Sequence, residues 1–275
     1  MVLAAAMLPA LSAAAQQRPL DTQDPATLGT GQVLVEAGLG YARDVFYPLS
    51  GLKGTLWQVP VIGIDVGLGP IADFQISGGP YNRLSITERR SAPMAALVTA
   101  TGSTTHAVED VTVGTKIRLV PEAPGRPAIG FRFSVRLPNA KHESGLGQDT
   151  TDFSAALLAG KTLASLRVVA NAGFTIMSEP LDATRQNDVL TYGLSATGHI
   201  SRRAELVGEV NGRWSTRNGI PPVGTESRGT VTFGARLTQG AARWDAAAVV
   251  GTTAIDPTFG VKVGVTYVFT AFAIP

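Results

Sequence analysis

His142, Glu143 and Ser144 are the residues of this chain whose types and spacing come nearest to nucleophilic catalysis. In a β-strand a histidine two positions before a serine shares its face, so the imidazole can activate the hydroxyl. A working triad also needs a third group to orient the histidine. Asn139 precedes the triplet and Asn171 lies a strand away, while the triplet itself sits in a polar loop. A solvated loop tip is the simpler reading. His106 and His199 are isolated, so no metal cluster is expected. The glycine-rich run 145–152, GLGQDTTD, is not followed by Lys-Ser/Thr and does not read as a phosphate loop. No cofactor site is expected.

The remaining polar chemistry is spread along the chain, one to three residues per segment. Glu36, Lys116, Arg118, Arg132, Arg136, Asp152, Arg167, Asn171, Asp188, Glu205, Glu209, Arg213, Arg236, Asp245 and Lys262, together with Asp65 and Asp73, mostly alternate with apolar residues. Between 128 and 137, Ile129, Phe131, Phe133, Val135 and Leu137 alternate with Gly130, Arg132, Ser134 and Arg136. A period of two makes a β-strand with one apolar and one charged face. Repeated in every segment, this pattern describes a closed sheet with lipid outside and a polar lumen inside. The charged residues are then candidates for lining a permeation path that biases which solutes enter. Arg132, Arg136, Arg167, Arg236 and Arg243 would suit an anionic or carboxylated aromatic solute. Because both signs are present in similar numbers, the same set also fits an ion-paired interior that conducts nothing.

The segments number about twelve, each roughly the 10 residues that a tilted strand needs to cross the hydrocarbon layer. The spacing predicts strands at 31–42, 57–68, 71–86, 110–120 and 128–137, then from 152, 166, 188, 204, 230, 243 and 259. Connections are long after odd strands and short after even ones, which is the asymmetry of an outer-membrane barrel with its long loops outside. Arg43, Asp44, Pro48 and Lys53 are expected in the loop after the first strand. Pro60 is awkward in the second, since proline cannot donate to a ladder. Gly78-Gly79-Pro80 should bend the third, and 87–109 reads as a long insertion. Residues 1–15, apolar and ending in Ala13 and Ala15 as an A-x-A site, read as a signal peptide. Residues 16–30 read as a periplasmic lead-in, 31–269 as an all-β transmembrane antiparallel up-and-down barrel, and 270–275 as a tail.

Composition agrees. Charged residues are 16% of the 275, well under the roughly 25% of a soluble protein. After the N-terminus there is no run of 18 apolar residues to make a membrane helix. The net charge of +2 comes without a Lys/Arg block, so nucleic-acid binding has no support. The absence of cysteine excludes a disulfide scaffold or thiolate metal site.

From residue 110 onward, DVTVGTKIRL, PAIGFRFSVRLP, GLGQDTTDFSAALLAGKTL, NDVLTYGLSA and AELVGEVNGRW resemble the "MetA pathway of phenol degradation" family of outer-membrane proteins. The resemblance covers about Asp110 to Phe269. It implies a bacterial outer-membrane β-barrel, associated by gene context with the degradation of aromatic compounds and with their uptake. It supplies no functional residues to carry over, and the 87–109 insertion and the HES triplet depart from its pattern. The expectation is a passive transporter or channel for small compounds, aromatic ones among them, and not an enzyme. Its partners would be outer-membrane lipid, a small-molecule solute and the barrel-assembly machinery, whose C-terminal signature resembles the run ending in Tyr267 and Phe269. The alternatives are a closed barrel without flux and a barrel phospholipase using His142 and Ser144.

Overall fold

In the computed structural model, residues 18–182 and 184–272 are described; the expected signal peptide lies outside them. Alternating apolar and polar residues form fourteen strands in one antiparallel sheet. They are β1 (Gln32–Tyr47), β2 (Leu52–Gly67), β3 (Ala72–Gly78), β4 (Asn82–Arg89), β5 (Thr104–Ala107), β6 (Thr112–Val120) and β7 (Ala128–Arg136), then β8 (Asp152–Leu163), β9 (Leu166–Ser178), β10 (Gln186–His199), β11 (Ala204–Ser215), β12 (Arg228–Gln239), β13 (Ala242–Gly251) and β14 (Phe259–Thr270). β1 pairs with both β2 and β14, so the sheet closes on itself, and only the short β5 has a partner strand on one side alone. β3 and β4 both lie on β2, at its two ends, while β6 pairs with β3 and β5 with β4. Each couple makes one interrupted stave, and the barrel has twelve staves.

The interruption explains Pro60. β3 stops at Gly78 and β4 starts at Asn82, opposite a register shift in β2. Val59 N still donates to Tyr81 O at 2.9 Å, and Glu109 N to Gly79 O at 2.7 Å. Pro60 therefore sits where the ladder is already open, and its missing N–H leaves no acceptor bare. An outward hollow of about 360 Å³, lined by Ile62, Ile64, Ile76, Pro80 and Val111, marks the break.

Two expectations need correcting. Thr104–Ala107, placed in the insertion, is strand β5. Arg43, Asp44 and Lys53, placed in a loop, belong to strands, because β1 and β2 run on past the apolar belt. A bulge between Ala42 and Val45, with Asp44 at φ 58°, breaks the period of two there and hid the extension. Beyond the bulge Val45, Leu52, Leu56 and Leu84 form a small buried core, joined by Val98 and Leu146 from the long loops. Those loops are tied down over the mouth. Met94 N donates to Leu49 O at 2.8 Å, Thr99 N to Glu143 O at 3.0 Å and Ser50 Oγ to Gly145 O at 2.7 Å.

Polarity is inverted relative to a soluble protein. Phe233, Trp214 and Leu194 are 62%, 67% and 56% exposed, whereas Lys116, Asp73 and Thr266 are fully buried. Exposed large apolar side chains around the whole wall and charges inside require lipid as the outer solvent. Trp57 packs edge-on against Tyr41 at 4.8 Å between ring centres in the outward belt. The protein is a membrane-spanning β-barrel.

Candidate functional site

The site is the lumen, and the chain fills part of it with its own N-terminal segment. Residues 18–30 lie inside the barrel, not outside it as the lead-in reading had it. Polar residues without an apolar stripe cannot build a strand, but they can satisfy polar walls. Arg18 lies over Gly38 and Gly264, which are directly opposite each other on β1 and β14. A Cβ on either glycine would collide with the Arg18 guanidinium. Pro25 rests in the same way against Gly130 and Gly160, and Thr22 against Gly193.

Side chains of the wall then hold the segment along its length. Arg18 donates Nε to Asp245 at 3.4 Å, and its carbonyl accepts Nε of Arg236 at 2.8 Å. Its own N–H donates to Glu36 at 3.2 Å. Glu209 accepts the N–H groups of Asp21 and Thr22. Lys262 donates to Asp21 at 2.7 Å. Asn171 makes a two-way clamp on Gln23, accepting its N–H at 2.7 Å and donating to its carbonyl at 2.8 Å. Arg167 reaches Asp24 at 2.8 Å and also pairs with Glu122 of the 121–127 turn. Donation from Thr162 N, with the Arg167 and Lys161 cations beside it, holds the Glu122 carboxyl below the usual carboxylate range. Asp73 accepts Leu28 N at 3.0 Å.

The wall supports these contacts by its register. Lys116 stands opposite Asp73 at 3.5 Å; Arg236 stands between Glu205 and Asp245 in the ladder, with Glu205 at 3.6 Å. Arg136 is opposite Asp152 at 2.6 Å and also pairs with Asp110. Open space remains on both sides of the segment: about 420 Å³ toward the short turns and about 270 Å³ toward the long loops.

The family described as "Putative MetA-pathway of phenol degradation" matches residues 16–238. The chain belongs to this family. The matched range begins with the lumen segment, so the family's pattern includes it. Among solved structures the chain is similar to the COG4313 outer membrane channel from Pseudomonas putida F1, at 15% identity and a TM-score of 0.63, over 89% of this chain and 97% of that one. It is also similar to the NanC porin at 8% identity and a TM-score of 0.52, over 85% and 98%. At these identities the likeness is one of fold. No curated protein matches the chain.

Within this family member, most of the residues singled out in the sequence meet in the lumen. Glu36, Lys116, Arg132, Arg136, Asp152, Arg167, Asn171, Glu205, Glu209, Arg213, Arg236, Asp245 and Lys262 all face inward. Arg132 donates to Gln75 at 2.7 Å, and Gln75 to Asp65 at 2.7 Å. Arg118 is at the turn-side rim, donating to Pro70 O at 2.6 Å. Asp188 is a correction. It is exposed on the same face of β10 as Leu190 and Tyr192, because residues two apart share a side. The inward residue there is Asn187, which donates to Thr225 at 2.8 Å. Asp21, Asp24, Gln23, Asp110 and Arg228 were missed. The signal available for the first three was the pairing of lumen glycines across strands, which makes a trough that only another chain segment fills.

His142–Ser144 forms a single 3-10 turn. Ser144 Oγ donates to Lys141 O at 2.8 Å, and His142 Nδ1 lies 2.6 Å from Asp149, so histidine and serine each have a different partner. His142, Glu143 and Asp149 bring ligand atoms within 4.8 Å of one another, a grouping the sequence reading did not anticipate. Two of the three are exposed on the loop surface.

Proposed function

We propose that this barrel is a passive outer-membrane channel for small compounds, held closed at rest by residues 18–30. The observation that carries the reading is the lumen segment itself. Its contacts with the wall are all non-covalent, and it has no secondary structure of its own. It is held by side-chain contacts at successive points, with open space above and below. Such a segment can shift without unfolding the barrel, whereas a solid core cannot. Aromatic compounds are the solutes favoured by the family's description, and the channel named for the similar Pseudomonas structure supports the passive mode. The outward run ending in Tyr267 and Phe269 is offered as the signature for the assembly machinery.

A second reading, a closed barrel without flux, is favoured by the charge pairing at Lys116–Asp73 and Glu205–Arg236–Asp245. Liposome swelling in a small neutral sugar separates the two. The channel reading expects slow swelling with the native chain and fast swelling with Asp21→Asn/Asp24→Asn. Absence of swelling in both, from protein shown to be folded, would establish the closed barrel.

A further inference from the structure

Cross-strand charge pairs in the lumen mostly join opposite signs, and where Lys116 faces Arg132 the carboxylate of Asp73 lies beside Lys116; one like pair has no such neighbour. Arg213 on β11 is directly opposite Arg228 on β12, both facing inward at the long-loop end. Like charges placed directly opposite each other are destabilising. Here no carboxylate of the described residues forms a salt bridge with either of them: none lies within 4.0 Å of either guanidinium. Arg213 donates only to neutral carbonyls, Nε to Glu226 O at 2.9 Å and Nη2 to Gly224 O at 3.0 Å. Arg228 makes one long bond, Nη2 to Phe46 O at 3.4 Å, and its Nε is buried with no hydrogen-bond partner. The nearby carboxylate of Glu226 is turned onto Gly224 N instead, at 3.0 Å.

Both arginines line the same cavity of about 270 Å³. Its third arginine, Arg136, is neutralised by Asp110 and Asp152. The rest of the lining includes Tyr47, Leu49 and Leu146, which give the cavity an apolar side. A half-buried guanidinium fork with an unbonded N–H matches a planar carboxylate, and an apolar wall beside it matches a ring. We infer that Arg213 and Arg228 form a binding site for a small aromatic carboxylate at the outer mouth of the lumen. An anion there would cancel the repulsion, satisfy Arg228 Nε and hold the solute above the segment 18–30. This deepens the channel reading and rests on it for the site's role in uptake, though not for binding itself.

The test is calorimetric titration of the folded, full-length protein in detergent micelles with benzoate, and with benzyl alcohol as its uncharged counterpart. Benzoate should bind and benzyl alcohol should not. Arg213→Gln and Arg228→Gln should each weaken benzoate by about tenfold or more, the loss expected for one charge-assisted contact. Arg213→Lys, which keeps the charge without the fork, should fall between. Heat-modifiable migration on gels checks that each variant is a folded barrel. No benzoate binding to the native protein, equal affinity for the alcohol, or unchanged affinity in both Gln variants would overturn the site. Failure here with sugar swelling intact removes only the site. Failure of swelling with benzoate binding intact removes only the channel.

Discussion

The two ends of the lumen handle charge in opposite ways. Toward the short turns, charges have opposite partners beside them, with Asp73 against Lys116, which also faces Arg132, and Arg236 between Glu205 and Asp245. The segment 18–30 adds Arg18 to Asp245 and Asp24 to Arg167. At the outer mouth, Arg136 is matched by Asp152, yet beyond β9 and β10 Arg213 meets Arg228. A charged lining is therefore not one kind of thing. The paired end is built to hold the chain's own segment in place. The unpaired pair is built at a cost to stability, which makes sense where something must be recruited from outside.

Removing charges should expose this difference. The largest effect is expected at the paired end. Lys116→Ala would leave Asp73 uncompensated in a fully buried position, at a cost of about 3–5 kcal/mol. Urea unfolding of the barrel in micelles would read this directly, and a cost near zero would mean that the lower lumen is far wetter than its burial indicates. Next comes Gly264→Leu, which puts side-chain atoms where the Arg18 guanidinium lies. Because the chain has no cysteine, a single Thr22→Cys reporter gives a clean measure. Maleimide labelling should be slow in the otherwise native protein and fast when Gly264→Leu is added. Equal rates would show that the glycine trough does not hold the segment.

At the mouth the sign should reverse. Arg228→Gln, without ligand, should stabilise the barrel by about 0.2–1 kcal/mol by removing a like-charge neighbour. A loss of stability comparable to that of Lys116→Ala would erase the contrast between the two ends. The smallest effect is expected at Ser144→Ala. Its hydroxyl bonds to Lys141 O and accepts from Leu146 N, so about 1 kcal/mol or less should be lost, with no change in any lipid hydrolysis. A serine-dependent hydrolysis would revive the enzyme reading.

The barrel was legible because its rule is simple. Period-two alternation over a dozen segments, with long and short connections in turn, survives local errors such as β5. Where the rule is broken by geometry, the sequence misleads. The bulge at Asp44 turned a strand extension into an apparent loop. Parity, not charge, decided that Asp188 faces out beside Leu190. The lumen segment was least legible, since 18–30 has neither period nor apolar stripe, and its contacts lie up to 245 residues away in the chain. Like-charge pairing at Arg213 and Arg228 depends on register between two strands, which no single strand records.

The central claim is that residues 18–30 close the lumen. Single-channel conductance in planar bilayers tests it most directly, comparing the native protein with Arg18→Ser/Asp21→Asn/Asp24→Asn, which removes the segment's charged anchors. The account predicts small or rare openings for the native chain and larger, long-lived openings for the variant. Identical conductance in two proteins shown to be folded would contradict it.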